Sequence, residues 1–465
     1  MRYVSTRGAA PQVGFMGALL GGLALDGGLY VPAAWPRLTP AEIAAFAGAP
    51  YAAVAADIFG RFADGEIAPQ VLQTLCAEAY ATFDHPAVTP LRQLAPGRFL
   101  LELFHGPTLA FKDVAMQILA RLYEHALASS GRTMTIVCAT SGDTGGAAVE
   151  AFRGRSNVRI VALFPQGRIS EVQRRFMTTA ADDNVRNVAV AGDFDACQAI
   201  LKSLFRDEAF AAETQLSAVN SINFARIIAQ TVYYFAAATA LGAPLRSVGF
   251  VAPTGNFGDA YAGWAARRMG LPIEHIVVAT NTNDILARAL QTGRYRRGQA
   301  VATQSPAMDI QVASNFERLY FESAGRGNRE TSAAFEGFER TGALDIPPAA
   351  LSEMQEVFTG VRVSEDQTRA AIRSEFEATG ELVDPHTAVA LAGADLAARR
   401  SASAPQVVLS TAHAAKFPEA VFEATGRTPA IPAVASHLAA LTERFDRLPA
   451  DAEAVKAYVR AFARG

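Results

Sequence analysis

From about residue 95 onward, short apolar segments alternate with segments of helical periodicity, and this alternation constrains the fold more than any other feature. The apolar segments 133–138, 158–164, 185–191 and 247–252 are typical of buried strands. Helical periodicity fills much of the sequence between them. Strands that alternate with helices of about 10 to 15 residues predict parallel sheets that are covered on both faces. We therefore predict an α/β fold, preceded by a largely helical region up to about residue 90.

The composition excludes several classes of protein. The chain has 465 residues, half of them hydrophobic and 19% charged, which is typical of a globular enzyme of two or three domains. A net charge of −3 gives no general attraction to nucleic acid or to an anionic membrane, and no unbroken apolar run approaches the roughly 20 residues of a membrane span. The cysteines are few, odd in number and far apart, so we expect no disulfide framework, a cytoplasmic location and no metal site.

Lys112 occupies an unusual position. Gly106 and Pro107 mark a turn, and helical periodicity begins at Val114. Lys112 is therefore expected at the start of a helix, just before Asp113 as the predicted N-cap. The partial positive charge of a helix N-terminus and an apolar neighbourhood both disfavour a charged amine there. A single lysine is more often a solvated surface group, but this setting makes Lys112 a candidate nucleophile and Schiff-base lysine.

Two glycine-containing segments each follow a predicted strand and open a predicted helix. Exposed backbone N–H groups at such a place favour an anion, either a carboxylate or a phosphate. Ordinary turns of α/β folds also contain glycine, so neither segment is specific by itself. Neither matches the fingerprints of nucleotide triphosphatases or of dinucleotide-binding proteins. The segments contain Ser141, Gly142, Asp143 and Thr144, and Gly255, Asn256, Phe257 and Gly258.

A third loop, which contains Ser410 and Thr411, follows the predicted strand 406–410. Its hydroxyls are suited to cap a helix or to bond a heteroaromatic nitrogen without a charge. One reactive amine, two anion cradles and a neutral hydroxyl together suit pyridoxal 5'-phosphate and a substrate with a carboxylate.

Five motifs in order resemble those of one enzyme family. They lie at 105–113, 139–145, 220–227, 253–259 and 410–417, and segments 1–8 and 26–32 are similar to an N-terminal domain of its bacterial and fungal branch. The chain thus resembles the threonine synthases, which are fold type II pyridoxal-phosphate enzymes of the tryptophan-synthase-β-like group. The resemblance runs nearly end to end.

The resemblance implies a role for each motif. Lys112 would bind the cofactor and transfer protons, the segment Gly255 to Gly258 would hold its phosphate, and Thr411, or less favourably Ser410, would meet its pyridine nitrogen. The implied substrate-binding residues are Ser141, Gly142, Asp143, Thr144, Asn220, Ser221, Asn223 and Arg226. Arg226 lies in an otherwise apolar helix, where a structural ion pair is nearly as good an explanation.

The resemblance also implies an activity. O-phospho-L-homoserine and water would give L-threonine and phosphate by γ-elimination and β-addition, the last step of threonine biosynthesis. The alternatives are a threonine-synthase-like phospho-lyase that releases 2-oxobutyrate, and a threonine/serine dehydratase. We expect a small-molecule substrate, no nucleic-acid or membrane partner, and a monomer or homodimer.

The implied architecture has two parallel-sheet α/β domains of the fold type II enzymes and a mostly helical N-terminal domain. The predicted boundaries are 1–92 for the N-terminal domain, 93–128 with 218–465 for the large cofactor-binding domain, and 129–217 for the small domain. The polar segment 321–331, which is rich in glycine and charge, predicts a mobile loop.

Overall fold

The computed structural model describes residues 1–397 and 404–464. Within these residues the strands, numbered along the chain, are β1 (Tyr3–Ser5), β2 (Tyr30–Pro32), β3 (Leu91–Ala95), β4 (Arg98–Glu102), β5 (Met134–Ala139), β6 (Val158–Pro165), β7 (Val185–Ala191), β8 (Leu216–Ser217), β9 (Val248–Pro253), β10 (Ile273–Thr280), β11 (Arg294–Arg296), β12 (Ala343–Asp345), β13 (Phe358–Arg362), β14 (Gln406–Ser410) and β15 (Asp446–Pro449).

The α-helices of the same residues are α1 (Phe15–Gly21), α2 (Pro40–Ala44), α3 (Tyr51–Ala63), α4 (Pro69–Tyr80), α5 (Lys112–Ser130), α6 (Asp143–Phe152), α7 (Glu171–Thr178), α8 (Phe194–Arg206), α9 (Glu208–Thr214), α10 (Phe224–Ala240), α11 (Gly258–Arg268), α12 (Ile285–Thr292), α13 (Phe316–Ser323), α14 (Asn328–Thr341), α15 (Pro348–Val357), α16 (Glu365–Thr379), α17 (Pro385–Leu396), α18 (Pro418–Thr425), α19 (Ala433–Ser436) and α20 (Ala452–Arg464).

The chain forms two compact units, of which the first comprises residues 1–105 and 221–429. Its six-stranded sheet has the order β13-β10-β9-β14-β4-β3. All neighbours in this sheet are parallel except β3, which pairs antiparallel with β4 at the edge. Because β9 and β14 are parallel neighbours, the loops after Pro253 and Ser410 lie at the same edge of the sheet.

The second unit comprises residues 106–220 and 430–465. Its five-stranded sheet has the order β15-β7-β6-β5-β8, and every neighbouring pair is parallel. Apolar side chains of the strands pack against α8 and α20, with Val137, Val161, Leu204 and Val459 all buried. The predicted domain boundaries stay a prediction. The contact units follow a different division, in which 430–465 joins the second unit.

The predicted α/β class and its parallel sheets are confirmed. The strand predictions at 185–191 and 406–410 match β7 and β14 in full. The predicted loop at 321–331 is wrong, because α13 extends to Ser323 and α14 begins at Asn328, which leaves a short link at 324–327. The glycines of this link lie at helix ends. Gly325 has a φ of 71°, which suits the end of a helix, and Gly327 is the N-cap of α14.

Two sequence predictions concern compartment and membrane. Within the described residues, no helix has both the length and the apolar character of a membrane span. Cys76, Cys138 and Cys197 are all buried and free. Burial raises the pKa of the Cys138 thiol to about 12, so this thiol is inert at neutral pH.

Candidate active site

Asp113 stabilises the turn that leads into α5. Its Oδ2 accepts a hydrogen bond from the backbone N–H of Thr108 at 2.8 Å, and its Oδ1 accepts one from the Thr108 hydroxyl at 2.7 Å. A Cβ on Gly106 would lie only 2.4 Å from the Asp113 Cβ, so this approach requires glycine. The prediction of an Asp113 N-cap is wrong. The N-cap is Phe111, whose side chain has no hydrogen-bond acceptor; Asp113 is the second residue of α5, and its carboxylate binds the Thr108 turn.

Lys112 is the first residue of α5 and is 8% exposed. Its Nζ lies 3.6 Å from Asp143 Oδ2 and 5.6 Å from the centroid of the Phe111 ring. From the sequence, only the helix N-terminus and the apolar neighbours could be considered, and both disfavour a charged amine. The structure adds a carboxylate, which favours the charged form. Lys112 and Asp143 both belong to the second unit, and the fold brings them together from two different helices.

In the loop before α6, some backbone N–H groups are already hydrogen-bonded within the loop itself. The Thr140 hydroxyl accepts hydrogen bonds from the N–H groups of Gly142, at 2.9 Å, and of Gly145, at 2.8 Å. A Cβ on Gly145 would lie 2.4 Å from the sulfur of Met177. Gly145 is therefore explained by close packing, and two of the N–H groups expected to bind an anion already have a protein acceptor. Ser141 and Thr144 remain partly exposed.

The loop between β9 and α11 has a different construction. Phe257 adopts a left-handed conformation with a φ of 62°, and no side chain caps α11 within the described part of the chain. The Thr254 hydroxyl accepts a hydrogen bond from the Phe257 N–H at 3.0 Å. A Cβ on Gly255 would lie 3.1 Å from the Ala307 carbonyl oxygen, so the loop packs tightly on its outer side. The uncapped N-terminus of α11 is a suitable cradle for a phosphate.

A chain of polar contacts joins this loop to the start of the 220–227 motif. The Ser314 hydroxyl donates to Asn256 Oδ1 at 3.0 Å and lies 2.9 Å from the Ser221 hydroxyl. Asn315 Nδ2 donates to the backbone oxygens of Ser221, at 3.0 Å, and of Asn256, at 3.2 Å. The buried Arg318 contacts Asn315 and donates to the Ile222 carbonyl. Within the first unit, the structure thus brings together two of the motifs that the sequence could only order.

Asp384 binds a residue that lies next to Ser410, the last residue of β14. This fully buried carboxylate accepts hydrogen bonds from His386 and Thr387, and the Thr387 hydroxyl lies 3.0 Å from that of Ser410. His386 Nε2 accepts a hydrogen bond from the Ala307 N–H at 3.2 Å, which leaves Nδ1 as the donor to Asp384 at 2.6 Å. The Ser410 hydroxyl is therefore engaged with the protein. Thr411 follows it and is 6% exposed.

The remaining predicted substrate residues have mixed surroundings. Asn223 is fully buried; its side chain caps α10 through the Ala225 N–H at 3.0 Å and donates to the Leu19 carbonyl at 2.8 Å. Arg226 is 4% exposed in α10, and Asn220 is partly buried in the second unit. The substrate roles of these residues stay predictions, and the contacts of Asn223 are those of a structural residue.

Each unit, taken by itself, holds groups that fit pyridoxal phosphate. In the first unit, the N-terminus of α11 has no side-chain cap and supplies N–H groups for a phosphate, and Thr411 supplies a neutral hydroxyl; in the second unit, Lys112 supplies a primary amine. Three supporting residues were missed in the sequence: Ser314, Asp384 and Gln173. Asp384 precedes Pro385, a pattern typical of a helix N-cap, and Ser170 precedes Gln173 by three residues, as in a capping box, so both could have been found as caps but not as neighbours of the site.

Comparison with family models shows which class of enzymes this chain belongs to. The family model described as "Pyridoxal-phosphate dependent enzyme" matches residues 83–412, which is more than half of the chain. The flanking regions match "Threonine synthase N terminus" over 2–80 and "Threonine synthase, C-terminal" over 387–459. The chain is therefore a member of the pyridoxal-phosphate-dependent enzymes.

Similarity to individual proteins shows which family within this class the chain belongs to. A threonine synthase of Pseudomonas aeruginosa is 50% identical over 463 residues, covering 99% of this chain and 98% of the relative. A crystal structure of threonine synthase with bound pyridoxal phosphate from Brucella melitensis has a TM-score of 0.97 and 49% identity, with full coverage of both chains. The yeast threonine synthase structure has a TM-score of 0.94 at 37% identity, covering 100% of this chain and 99% of that one. The chain belongs to the threonine synthase family.

Proposed function

We propose that this chain is a threonine synthase, which converts O-phospho-L-homoserine and water into L-threonine and phosphate in the last step of threonine biosynthesis. The observation that carries the proposal is the match, at 50% identity over 463 residues, to the Pseudomonas aeruginosa threonine synthase. The amine at Lys112 and the phosphate cradle at the start of α11 supply the groups that this chemistry needs. The three buried, free cysteines support the further proposal of a cytoplasmic location.

The proposed cofactor contacts follow from the loops. Lys112 would carry pyridoxal phosphate, and Gly255, Asn256, Phe257 and Gly258 would hold its phosphate through backbone N–H groups. Thr411 is a better partner for the ring nitrogen than Ser410, whose hydroxyl is already bonded to Thr387. When bound, this cofactor withdraws electrons from the substrate and makes its carbon-bound protons acidic.

The protein groups then bind the substrate and move its protons. We assign Ser141 and Thr144 to the substrate carboxylate, because their partly exposed hydroxyls follow the end of β5. Ser221 is assigned to the substrate phosphate, since the contacts through Ser314 join it to Asn256. The Lys112 amine accepts and returns protons at the substrate carbons. The γ-phosphate leaves and water adds at Cβ, which gives threonine.

Replacement of Lys112 tests the assignment. Lys112→Ala should reduce threonine formation by at least about a thousandfold, within the range of effects seen when a reacting group is removed, while circular dichroism stays unchanged. Lys202→Ala is the matched control, because Lys202 is an exposed lysine of α8. Substantial threonine formation by Lys112→Ala would refute the role of Lys112. Release of 2-oxobutyrate in place of threonine by the unmodified protein would identify the phospho-lyase alternative instead.

A further inference from the structure

Gln173 lies beside the pair formed by Lys112 and Asp143 in the second unit, and its side chain has a fixed orientation. It is the third residue of α7 and forms a capping box with Ser170: the Gln173 N–H donates to the Ser170 hydroxyl at 3.2 Å, and the Ser170 N–H donates to Gln173 Oε1 at 3.3 Å. Because Oε1 must accept from Ser170, the amide nitrogen points the other way. The glycine at 142 leaves room for this amide, since a Cβ there would lie 2.6 Å from Gln173 Cδ.

The amide nitrogen of Gln173 meets Asp143. Nε2 donates to Asp143 Oδ1 at 3.0 Å, and the other carboxylate oxygen, Oδ2, lies 3.6 Å from Lys112 Nζ. All three residues are at least nine-tenths buried. A donor on one oxygen and an amine near the other give the Asp143 carboxylate a single orientation.

We propose that Gln173 is a positioning residue that holds the Asp143 carboxylate against the Lys112 amine, so that Asp143 retains a proton on this amine between proton transfers. In this role Asp143 acts through Lys112. A carboxylate is also poorly suited to bind the substrate carboxylate directly, because two like charges repel. The inference rests on the proposed function, since proton retention matters only if Lys112 is the cofactor lysine.

Several other charged groups of α5, α6 and α7 have partners of their own. The Asp113 carboxylate, in the first turn of α5, accepts hydrogen bonds from Thr108. On α7, Arg174 bonds to Glu443, and Arg175 bonds to Glu171.

On α6, Glu150 lies at the opposite end from Asp143 and pairs with Arg153 at 3.3 Å. Asp143, at the start of α6, has its Oδ2 atom 3.6 Å from the Lys112 amine.

Competitive acetylation of the full-length, cofactor-free protein tests this inference. Lys112 is labelled with trace acetic anhydride from about pH 6 to about pH 10, a range that spans the titration of a perturbed lysine. Mass spectrometry measures the label relative to the exposed Lys202. Asp143→Asn should lower the pH midpoint of Lys112 labelling by about one to two units, because it removes the opposite charge. Gln173→Met should shift the midpoint in the same direction by a smaller amount.

Ser170→Ala is the matched control for Gln173→Met. It removes the other half of the capping box and should lower the melting temperature, but it leaves the Gln173–Asp143 bond in place and should leave the labelling midpoint unchanged. An unchanged midpoint in Asp143→Asn or in Gln173→Met would overturn the proposal, and so would equal shifts in Gln173→Met and Ser170→Ala. If Asp143→Asn fails to fold, the comparison of Gln173→Met with Ser170→Ala decides alone.

Failure of the proposed function would look different. Borohydride reduction of the cofactor-loaded protein, followed by peptide mapping, should place the cofactor on Lys112. Attachment to another residue would refute the proposed function and leave the labelling midpoints as measured. Attachment to Lys112 with unshifted midpoints would overturn only the role of Gln173 and Asp143.

Discussion

The loops before α6 and α11 have similar sequences and different constructions. Both follow a buried parallel strand, contain glycines and carry an aspartate in the first turn of the helix. Before α6, Thr140 accepts two loop N–H groups, and the Asp143 carboxylate lies beside a lysine. Before α11, Thr254 accepts one N–H group, and the aspartate, Asp259, points into a buried pair of tyrosines.

The difference shows that glycine content alone does not identify a phosphate loop. What matters is which acceptors already occupy the N–H groups and whether a carboxylate lies close to the place where an anion would bind. Neither N-cap residue caps its helix with a side chain, but the loop before α11 directs its carboxylate away, toward Tyr233 and Tyr234. The loop before α6 directs its carboxylate toward Lys112. The loop before α11 is thus suited to bind a phosphate, and the loop before α6 is suited to control the Lys112 amine.

The largest expected effect concerns Asp259, the aspartate in the first turn of α11. Burial raises the pKa of Asp259 to about 6 from an ordinary value of 3.8, although hydrogen bonds from Tyr233 and Tyr234 lower it. The raised pKa means that the protonated form contributes stability below about pH 4, and that this contribution is lost as pH rises through about 6. Relative to Asp259→Asn, the free energy of unfolding of the unmodified protein should fall by about 3 kcal/mol over this interval, at 1.36 kcal/mol for each pH unit.

Urea unfolding of both proteins at several pH values measures this difference. The comparison with the Asn variant cancels the contributions of other titrating groups. A difference that does not depend on pH would mean that Asp259 has the same pKa in the folded and unfolded states. The proposed electrostatic difference between the two loops would then be wrong.

The two threonines give the next largest effect. Thr140→Val would leave two loop N–H groups without their acceptor, and Thr254→Val would leave one. Valine keeps the shape of threonine, so we expect losses in the free energy of unfolding of about 2 kcal/mol and about 1 kcal/mol, respectively. Only Thr254→Val should also weaken the binding of pyridoxal phosphate. Weaker cofactor binding in Thr140→Val alone would exchange the roles of the two loops.

Much of this organisation could be predicted from the sequence because it depends on local periodicity. The apolar runs of β7 and β14 defined those strands, and the turn at Gly106 and Pro107 placed Lys112 correctly at the start of a helix. The surroundings of Lys112 could not be predicted, because Asp143 reaches Lys112, and Gln173 reaches Asp143, only through the packing of α6 and α7.

The errors have a local cause. The Asp113 side chain has the chemistry of a helix cap, but the turn at Thr108, five residues earlier in the chain, binds it. The glycines between α13 and α14 suggested a loop of eleven residues at 321–331, whereas they form a short link between two helices. In each case the same residue types suit two local structures, because an aspartate can bind a turn or cap a helix and glycines can end helices or fill a loop.

The expected effect of Gly145→Ala on stability is as small as that of Thr254→Val. The new methyl group would crowd Met177 and Thr140. Overpacking costs about 1 to 3 kcal/mol, and the better helix propensity of alanine recovers about 1 kcal/mol. We therefore expect a net loss of about 1 kcal/mol in the free energy of unfolding, measured by urea titration. A stabilised variant would show that Gly145 is not required for packing and would reopen its role in binding an anion.

Binding of pyridoxal phosphate and of pyridoxal, which lacks the phosphate, tests the contrast between the loops most directly. The ratio of the two dissociation constants isolates the contribution of the phosphate. We expect the unmodified protein to prefer pyridoxal phosphate by at least about a hundredfold, as for several charge-assisted hydrogen bonds. This preference should fall by at least about tenfold in Gly255→Ala, which crowds the loop before α11. It should be unchanged in Gly145→Ala; a preference lost in Gly145→Ala and kept in Gly255→Ala would contradict the assignment of the phosphate site to α11.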